Sequence, residues 1–255
     1  NLIKEVAEKN SSLPIATIAL GKAISITGLM GLMLKGDQEL TTMIEGDGPL
    51  GKIISIANAI GETRAIVTNP QAEAEFDGIS VKDAVGEIGN IKVIKDLKMK
   101  EPFVSETSII SGDVGPDFTY YFSYSEQTPT AISSSVIFNE QLEVEKGGAL
   151  IVQLLPNASD AVASQLEEKV RALPSLAGLL KEHTLEEIIE MIFADDYHKL
   201  AESNLEYKCV CSEDRFISGI QLLGMDEIID IKKEKTIECT CNFCKKVYVI
   251  DTNKI

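Results

Sequence analysis

All five cysteines of this 255-residue chain lie between positions 209 and 244, and four of them form two short-spaced pairs. Cys209-Val210-Cys211 is separated by 29 residues from Cys241-Asn242-Phe243-Cys244. Zn²⁺ prefers four soft ligands in a tetrahedron, and two thiolate pairs brought together by a fold supply that set. A CxxC turn puts both sulfurs on one side of a knuckle, and CxC does so more tightly. Cys239-Thr240-Cys241 is itself a CxC, so the ligands can be drawn from these thiols in more than one way. Lys208, Lys245 and Lys246 flank the pairs and are expected to lower the thiol pKa values and offset the charge of a four-thiolate site. His183 and His198 have no ligand spacing to a second residue and are expected to play ordinary helix or surface roles.

Five clustered cysteines are too few to staple a secreted fold of this length, and reduced thiols point to the cytosol. The tail, residues 205–255, has few large apolar side chains, so it needs a staple to hold itself together. A structural zinc site supplies about 10–16 kcal/mol of apparent free energy, against about 5–15 kcal/mol for the stability of a whole domain. Loss of the metal is therefore expected to unfold the tail. Thiolates are also the oxidisable form of cysteine, so the same sulfurs can report redox state to folding.

The 24 basic and 40 acidic residues give a formal net charge of -16. The tail carries 8 basic and 9 acidic residues, so residues 1–204 carry 16 and 31, and nearly all the excess negative charge sits in the body. With no basic run to override this balance, a nucleic-acid partner is not expected. Trp is absent, so the core must be aliphatic. Leu13 to Leu34 is long enough to span a bilayer, but Lys22 in its middle and its glycines and hydroxyl residues favour a buried core helix, and no membrane partner is expected. The chain opens on Asn1 rather than Met, and residues are expected to precede it.

Residues 37–155 read as short strands divided by Gly, Pro, Asn and Asp. From Asn157 the pattern turns helical: Val162, Leu166, Val170 and Leu173 recur at spacings of three and four up to Pro174. Thr184-Leu185-Glu186-Glu187 is a capping box that opens a second helical run. In the tail, short helices are expected after Ser212 and Asp226, and a strand at Val247–Ile250. The fold class is therefore α+β: a β-rich core packed on helices over residues 1–156, a helical linker over 157–204, and a small C-terminal zinc-binding domain over 205–255.

Other motifs carry less. Gly46 to Gly51 matches GxGxxG, but the strand-like KIISIAN that follows offers no helix N-terminus for a pyrophosphate, so a hairpin turn is expected. No phosphate-binding GxxxxGK[ST] loop is present. Ser125-Glu126-Gln127 has no nearby His for a nucleophilic triad, and Glu126 and Gln127 are expected to fix a loop or a subunit contact. Catalytic residues are not expected, and a closed four-Cys site leaves no open position for hydrolysis.

Read together, several blocks resemble one family. They are LGKAISITGLM, EGDGPLGKI, TNP, YYFSYSEQTPTA and GGALIVQLLP in the body, and CVCSEDR, GIQLLGMDEI and CNFCKKVYVI in the tail. The chain is similar over essentially its whole length to the heat-shock protein 33 family of redox-regulated chaperones. The resemblance implies a cytoplasmic, ATP-independent holdase of the stress response with an α/β core, a helical linker and a zinc module. It places the zinc ligands on Cys209, Cys211, Cys241 and Cys244 in an inactive reduced state. It further implies that oxidation forms disulfides Cys209–Cys211 and Cys241–Cys244, expels one zinc per chain, unfolds tail and linker, and yields a homodimer that binds unfolding client proteins. Cys239 departs from the family pattern and could pair with Cys241 or act as an alternative ligand. The competing reading is a zinc-ribbon binding protein whose metal is purely structural.

Overall fold

The apolar run near the N-terminus forms one helix, α2 (Pro14–Leu32), with Pro14 at its first position, where the missing N–H costs nothing. It is apolar on every side, as a helix must be when protein covers its whole circumference. Leu20, Ile24, Ile26 and Met30 are all buried. One flank packs on β2 (Lys52–Asn58) and β3 (Glu62–Val67), the other on the hairpin of β6 (Thr130–Phe138) and β7 (Val144–Gln153). Lys22 is tolerated because its ammonium meets Asp113 Oδ1 at 2.7 Å. The helix is thus buried at the centre of the core, as the interrupted hydropathy suggests. The short α1 (Leu2–Asn10), which the sequence does not announce, packs against it.

The structure is a computed structural model that describes residues 1–72 and 80–255. It is α+β, and the chain divides into two compact units, Asn1–Tyr207 and Lys208–Ile255. In the first unit β1 (Glu39–Gly46), β2, β3, β4 (Gly89–Asp96), β5 (Phe103–Ser108) and β8 (Glu206–Tyr207) form a sheet ordered β5-β4-β1-β2-β3-β8. Every pair is antiparallel except β3 with β8. Strands β1 and β2 alternate buried and half-buried residues along most of their length, the period-2 signature of a sheet with one face on the core. Gly46 to Gly51 lie at the β1–β2 hairpin connection, as expected.

Residues 37–155 are not all strand and turn. The small α3 (Val81–Val85), closed by a capping box from Ser80, and α4 (Val114–Tyr124) interrupt them. The aromatic, β-favouring FTYYFSY and an early Gly-Pro disguise α4 as strand and turn. Pro116 sits in its first turn, where helix N–H groups have no intrahelical partner and a proline is harmless. Phe118, Tyr121 and Phe122 then bury one face of the helix.

From Asn157 the helical reading holds as far as Phe193. The elements are α5 (Asp160–Ala172), α6 (Leu176–Glu182) and α7 (Leu185–Phe193), with Ser159, Ser175 and Thr184 as N-caps. Their burial differs. Leu176, Leu179, Ile188 and Ile192 are buried, whereas α5 buries no residue. Lys146 on β7 donates to the carbonyls of Leu180 (2.9 Å) and Lys181 (3.3 Å), tying the end of α6 to the hairpin.

The second unit contains α8 (Glu213–Ile220), α9 (Met225–Ile231) and a hairpin of β9 (Thr236–Thr240) and β10 (Val247–Asp251). Among the described residues its fully buried apolar side chains are Cys241 and Ile250 alone. Thr252 ties the hairpin's end back through Oγ1 to the Glu234 carbonyl at 2.7 Å. A core this small cannot outweigh the entropy of ordering some fifty residues, as the tail's composition predicts.

Candidate metal centre

Two local structures aim the four sulfurs. Cys241 to Cys244 form the turn of the β9–β10 hairpin, closed by Cys241 N–H donating to Lys246 O (2.9 Å) and Lys245 N–H to Cys241 O (2.8 Å). Lys245 takes a positive φ of 62° to complete the reversal. Cys209 and Cys211 lie in the segment between Tyr207 and the Ser212 N-cap of α8, with one residue between them. Hairpin and segment thereby face each other across 29 intervening residues of chain.

The sulfurs of Cys209, Cys211, Cys241 and Cys244 all lie within 4.8 Å of one another. Cys209 Sγ is 3.6 Å from Cys241 Sγ, and Cys211 Sγ is 3.5 Å from Cys244 Sγ. Four thiolates each about 2.3 Å from one ion would stand about 3.8 Å apart, so the donor set fits a soft divalent metal such as zinc. Cys239 is outside this group; it sits on β9 opposite Tyr248 of β10. His183 caps the end of α6 with Nδ1 3.7 Å from Glu187, and neither histidine belongs to the sulfur group. The shortest sulfur contacts run between the two motifs, whereas the disulfides implied by the resemblance run within each.

Without metal, the thiols differ sharply. Burial pushes Cys209 up to about 12, and burial likewise raises Cys244. Burial also opposes ionisation of Cys211, but hydrogen bonds from Tyr248 and the neighbouring thiols overcome it and bring Cys211 down to about 7. The Tyr248 hydroxyl lies 3.2 Å from Cys211 Sγ and 3.0 Å from the Cys211 carbonyl, and its one proton is donated to the carbonyl or, once Cys211 ionises, to the thiolate. Its own pKa rises to about 12, chiefly through the bond to Cys211. The lowering at Cys211 therefore comes from hydrogen bonds rather than from the expected Lys208, Lys245 and Lys246. Lys246 Nζ stands 4.8 Å above the Tyr248 ring, and Phe216 of α8 packs on that ring at 5.3 Å. The sequence marks Tyr248 as a strand residue and gives it no role. Its position seven residues after Cys241, across the hairpin, could have suggested one.

Glu126 fixes a loop, as one of the two roles expected for it. Both its oxygens accept from Lys95 Nζ at 2.7 Å and one accepts from the Tyr121 hydroxyl at 2.5 Å. Tyr121 also meets Ser105 Oγ at 2.9 Å. Burial and the Glu126 carboxylate hold the Tyr121 phenol well above its ordinary pKa. The network is structural and far from any sulfur in sequence.

Comparison with known proteins agrees over the whole length. The Hsp33 protein family model matches residues 1–251. The 33 kDa chaperonin of Oceanobacillus iheyensis is 40% identical over 254 residues, 97% of this chain and 88% of that protein. That of Bacillus pumilus is 37% identical over 99% of this chain and 89% of its own length. The crystal structure of the 33 kDa chaperonin from Thermotoga maritima superposes with a TM-score of 0.87 at 28% identity, over 99% of this chain and 88% of that one.

Proposed function

The chain belongs to the Hsp33 family of chaperones, and on that premise we propose that it is an ATP-independent holdase switched on by oxidation. The observation that supports this most is the gathering of four thiols, in two motifs far apart in sequence, within 4.8 Å in a unit with almost no core. In this reading Cys209, Cys211, Cys241 and Cys244 hold one Zn²⁺ as thiolates. When bound, the ion supplies a closed cross-link between hairpin and segment.

Oxidation acts on the thiols. Each pair of thiolates gives up two electrons to form a disulfide, Cys209–Cys211 and Cys241–Cys244, while one hypochlorous acid per pair takes up those electrons and a proton from solvent and leaves as chloride and water. Disulfide sulfurs no longer serve as thiolate ligands, so the cross-link is lost. The tail then unfolds, because two buried apolar side chains cannot hold it. The organisation proposed is a core over residues 1–156, a helical linker over 157–204 and a redox module over 205–255. The unit boundary at Tyr207 and the absence of buried residues in α5 favour this division. The activated protein dimerises and holds unfolding clients in the cytoplasm, with no nucleic-acid or membrane partner. Its high negative charge keeps the loaded complex soluble.

The test follows zinc release with a chromogenic chelator during hypochlorite treatment, alongside suppression of aggregation of a thermally unfolding client. One zinc released per chain, with suppression only afterwards and without ATP, is the expected result. Release without suppression would make the metal purely structural. Cys241→Ser is expected to bind zinc weakly and to suppress aggregation without oxidant; a variant that keeps zinc and stays silent would refute the ligand assignment.

A further inference from the structure

We infer that Cys239 makes the oxidised end of the β9–β10 hairpin a thiol–disulfide exchange site. Once the tail has unfolded, the bond closed at Cys241–Cys244 passes in a share of the chains to Cys239–Cys241, where it bars β9 from re-forming. The inference rests on the oxidation switch proposed above and gives a task to the one thiol that switch leaves unused.

In the folded tail the strand keeps Cys239 from its neighbour. Ile237 and Cys239 are half-buried between exposed Thr236, Glu238 and Thr240, so they share the inward face of β9, and buried Cys241 continues that row. Cys239 pairs with Tyr248, whose side chain faces the same way and brings its hydroxyl 3.2 Å from Cys211 Sγ. The Cys239 sulfur nevertheless stands outside the group formed by the other four. Residues two apart along a strand have parallel side chains and Cα atoms about 6.6–6.8 Å apart. Disulfides bridge Cα atoms about 4.4–6.8 Å apart, most of them about 5.5–6 Å, with the two Cβ atoms turned towards each other. A Cys239–Cys241 bond therefore cannot close while β9 keeps its strand geometry. Cys241 and Cys244 have no such bar: both lie in the turn, with sulfurs within 4.8 Å of each other.

Unfolding removes that restraint and leaves one thiol and one disulfide within the six residues 239–244. The Cys239 thiolate attacks Cys241 Sγ. The Cys239–Cys241 bond forms as the Cys241–Cys244 bond breaks, and Cys244 leaves as a thiolate. One disulfide and one thiolate stand before and after, so no oxidant is consumed. With the strand gone, no fold favours either short loop, and the bond distributes over both. The new bond draws residues 239–241 out of strand geometry, so Cys239 cannot pair with Tyr248 nor Thr240 with Val247. Tyr248 then has no register to carry its hydroxyl to Cys211, and the other half of the centre loses its neighbour as well. The exchange thus holds the tail open from within and sets a free thiol at Cys244.

The test uses the full chain, oxidised with one hypochlorous acid per disulfide, trapped at intervals with N-ethylmaleimide and peptide-mapped. The expected course is label on Cys239 first, then label on Cys244 in at least a tenth of the chains while the total number of disulfides stays constant. Label that stays on Cys239 overturns the inference. So does a Cys239–Cys241 bond that appears as early as Cys241–Cys244, which would make it a direct product of the oxidant. Two variants separate the pairings: within the hairpin, oxidised Cys239→Ser closes only Cys241–Cys244, and oxidised Cys244→Ser only Cys239–Cys241. Amides of residues 247–251 should exchange at least threefold faster in the second. Both are read oxidised, so the missing zinc ligand in the second does not disturb the comparison. Equal exchange overturns the bar on β9. If hypochlorite closes no bond at Cys241 in the wild type, the oxidation switch itself fails and the exchange falls with it.

Discussion

Tyr248 does for the thiol cluster what flanking lysines were expected to do. A neutral donor 3.2 Å from Cys211 Sγ stabilises its thiolate more directly than an ammonium on a mobile stem. Immediately after chelation, before the tail has unfolded, Cys211 should therefore be the first cysteine alkylated by iodoacetamide, with a rate that rises through about pH 7. Tyr248→Phe should slow that reaction at pH 7 by about fivefold for the first unit by which the thiol pKa rises and about tenfold for each further unit. Peptide mapping after brief labelling reads both effects. In the core, Glu126→Ala would leave Lys95, 19% exposed, without its carboxylate and remove a partner of Tyr121. A loss of about 2–4 kcal/mol is expected from urea unfolding.

Among the elements, the linker helices are unequal in a way their sequences only half reveal. All three have hydroxyl N-caps and periodic apolar residues, so their existence is legible. Which of them packs is not, because Val162, Leu166 and Val170 form as regular a stripe as Ile188 and Ile192. Burial decides: α5 has none, whereas α6 and α7 share four buried aliphatics and α6 is tied by Lys146. Amides of residues 160–172 should therefore exchange faster than those of 176–193 in the reduced protein. Equal protection would contradict the packing. The same logic separates α2 from α4. An uninterrupted aliphatic run with proline at its start announces a helix, whereas aromatic residues that favour strands disguise one until their partners are known. The two-residue β8 has no pattern to read; a partner strand and two glycines far away in sequence define it.

At the scale of the molecule, stability is distributed unequally. The first unit buries aliphatics from α1 through α4 in one cluster, and the second buries Cys241 and Ile250. Removing metal from the reduced chain with a chelator should expose residues 208–255 to proteolysis and leave the core's near-native circular dichroism; simultaneous loss of both would show that the core depends on the tail. The cysteine spacing made the sulfur cluster legible, because paired thiols have few other uses in so small a core. The hairpin that carries one pair adds a direction to recovery. Cys241 and Cys244 both sit in the six-residue turn 241–246, and a hairpin can re-form in roughly 1–10 μs. Cys209 and Cys211 must return across 29 intervening residues, a longer search with a larger entropic cost. In the switch we propose, return of reductant would rebuild one half of the centre before the other can arrive. Such a switch would forget stress in two beats, with the slower beat keeping time.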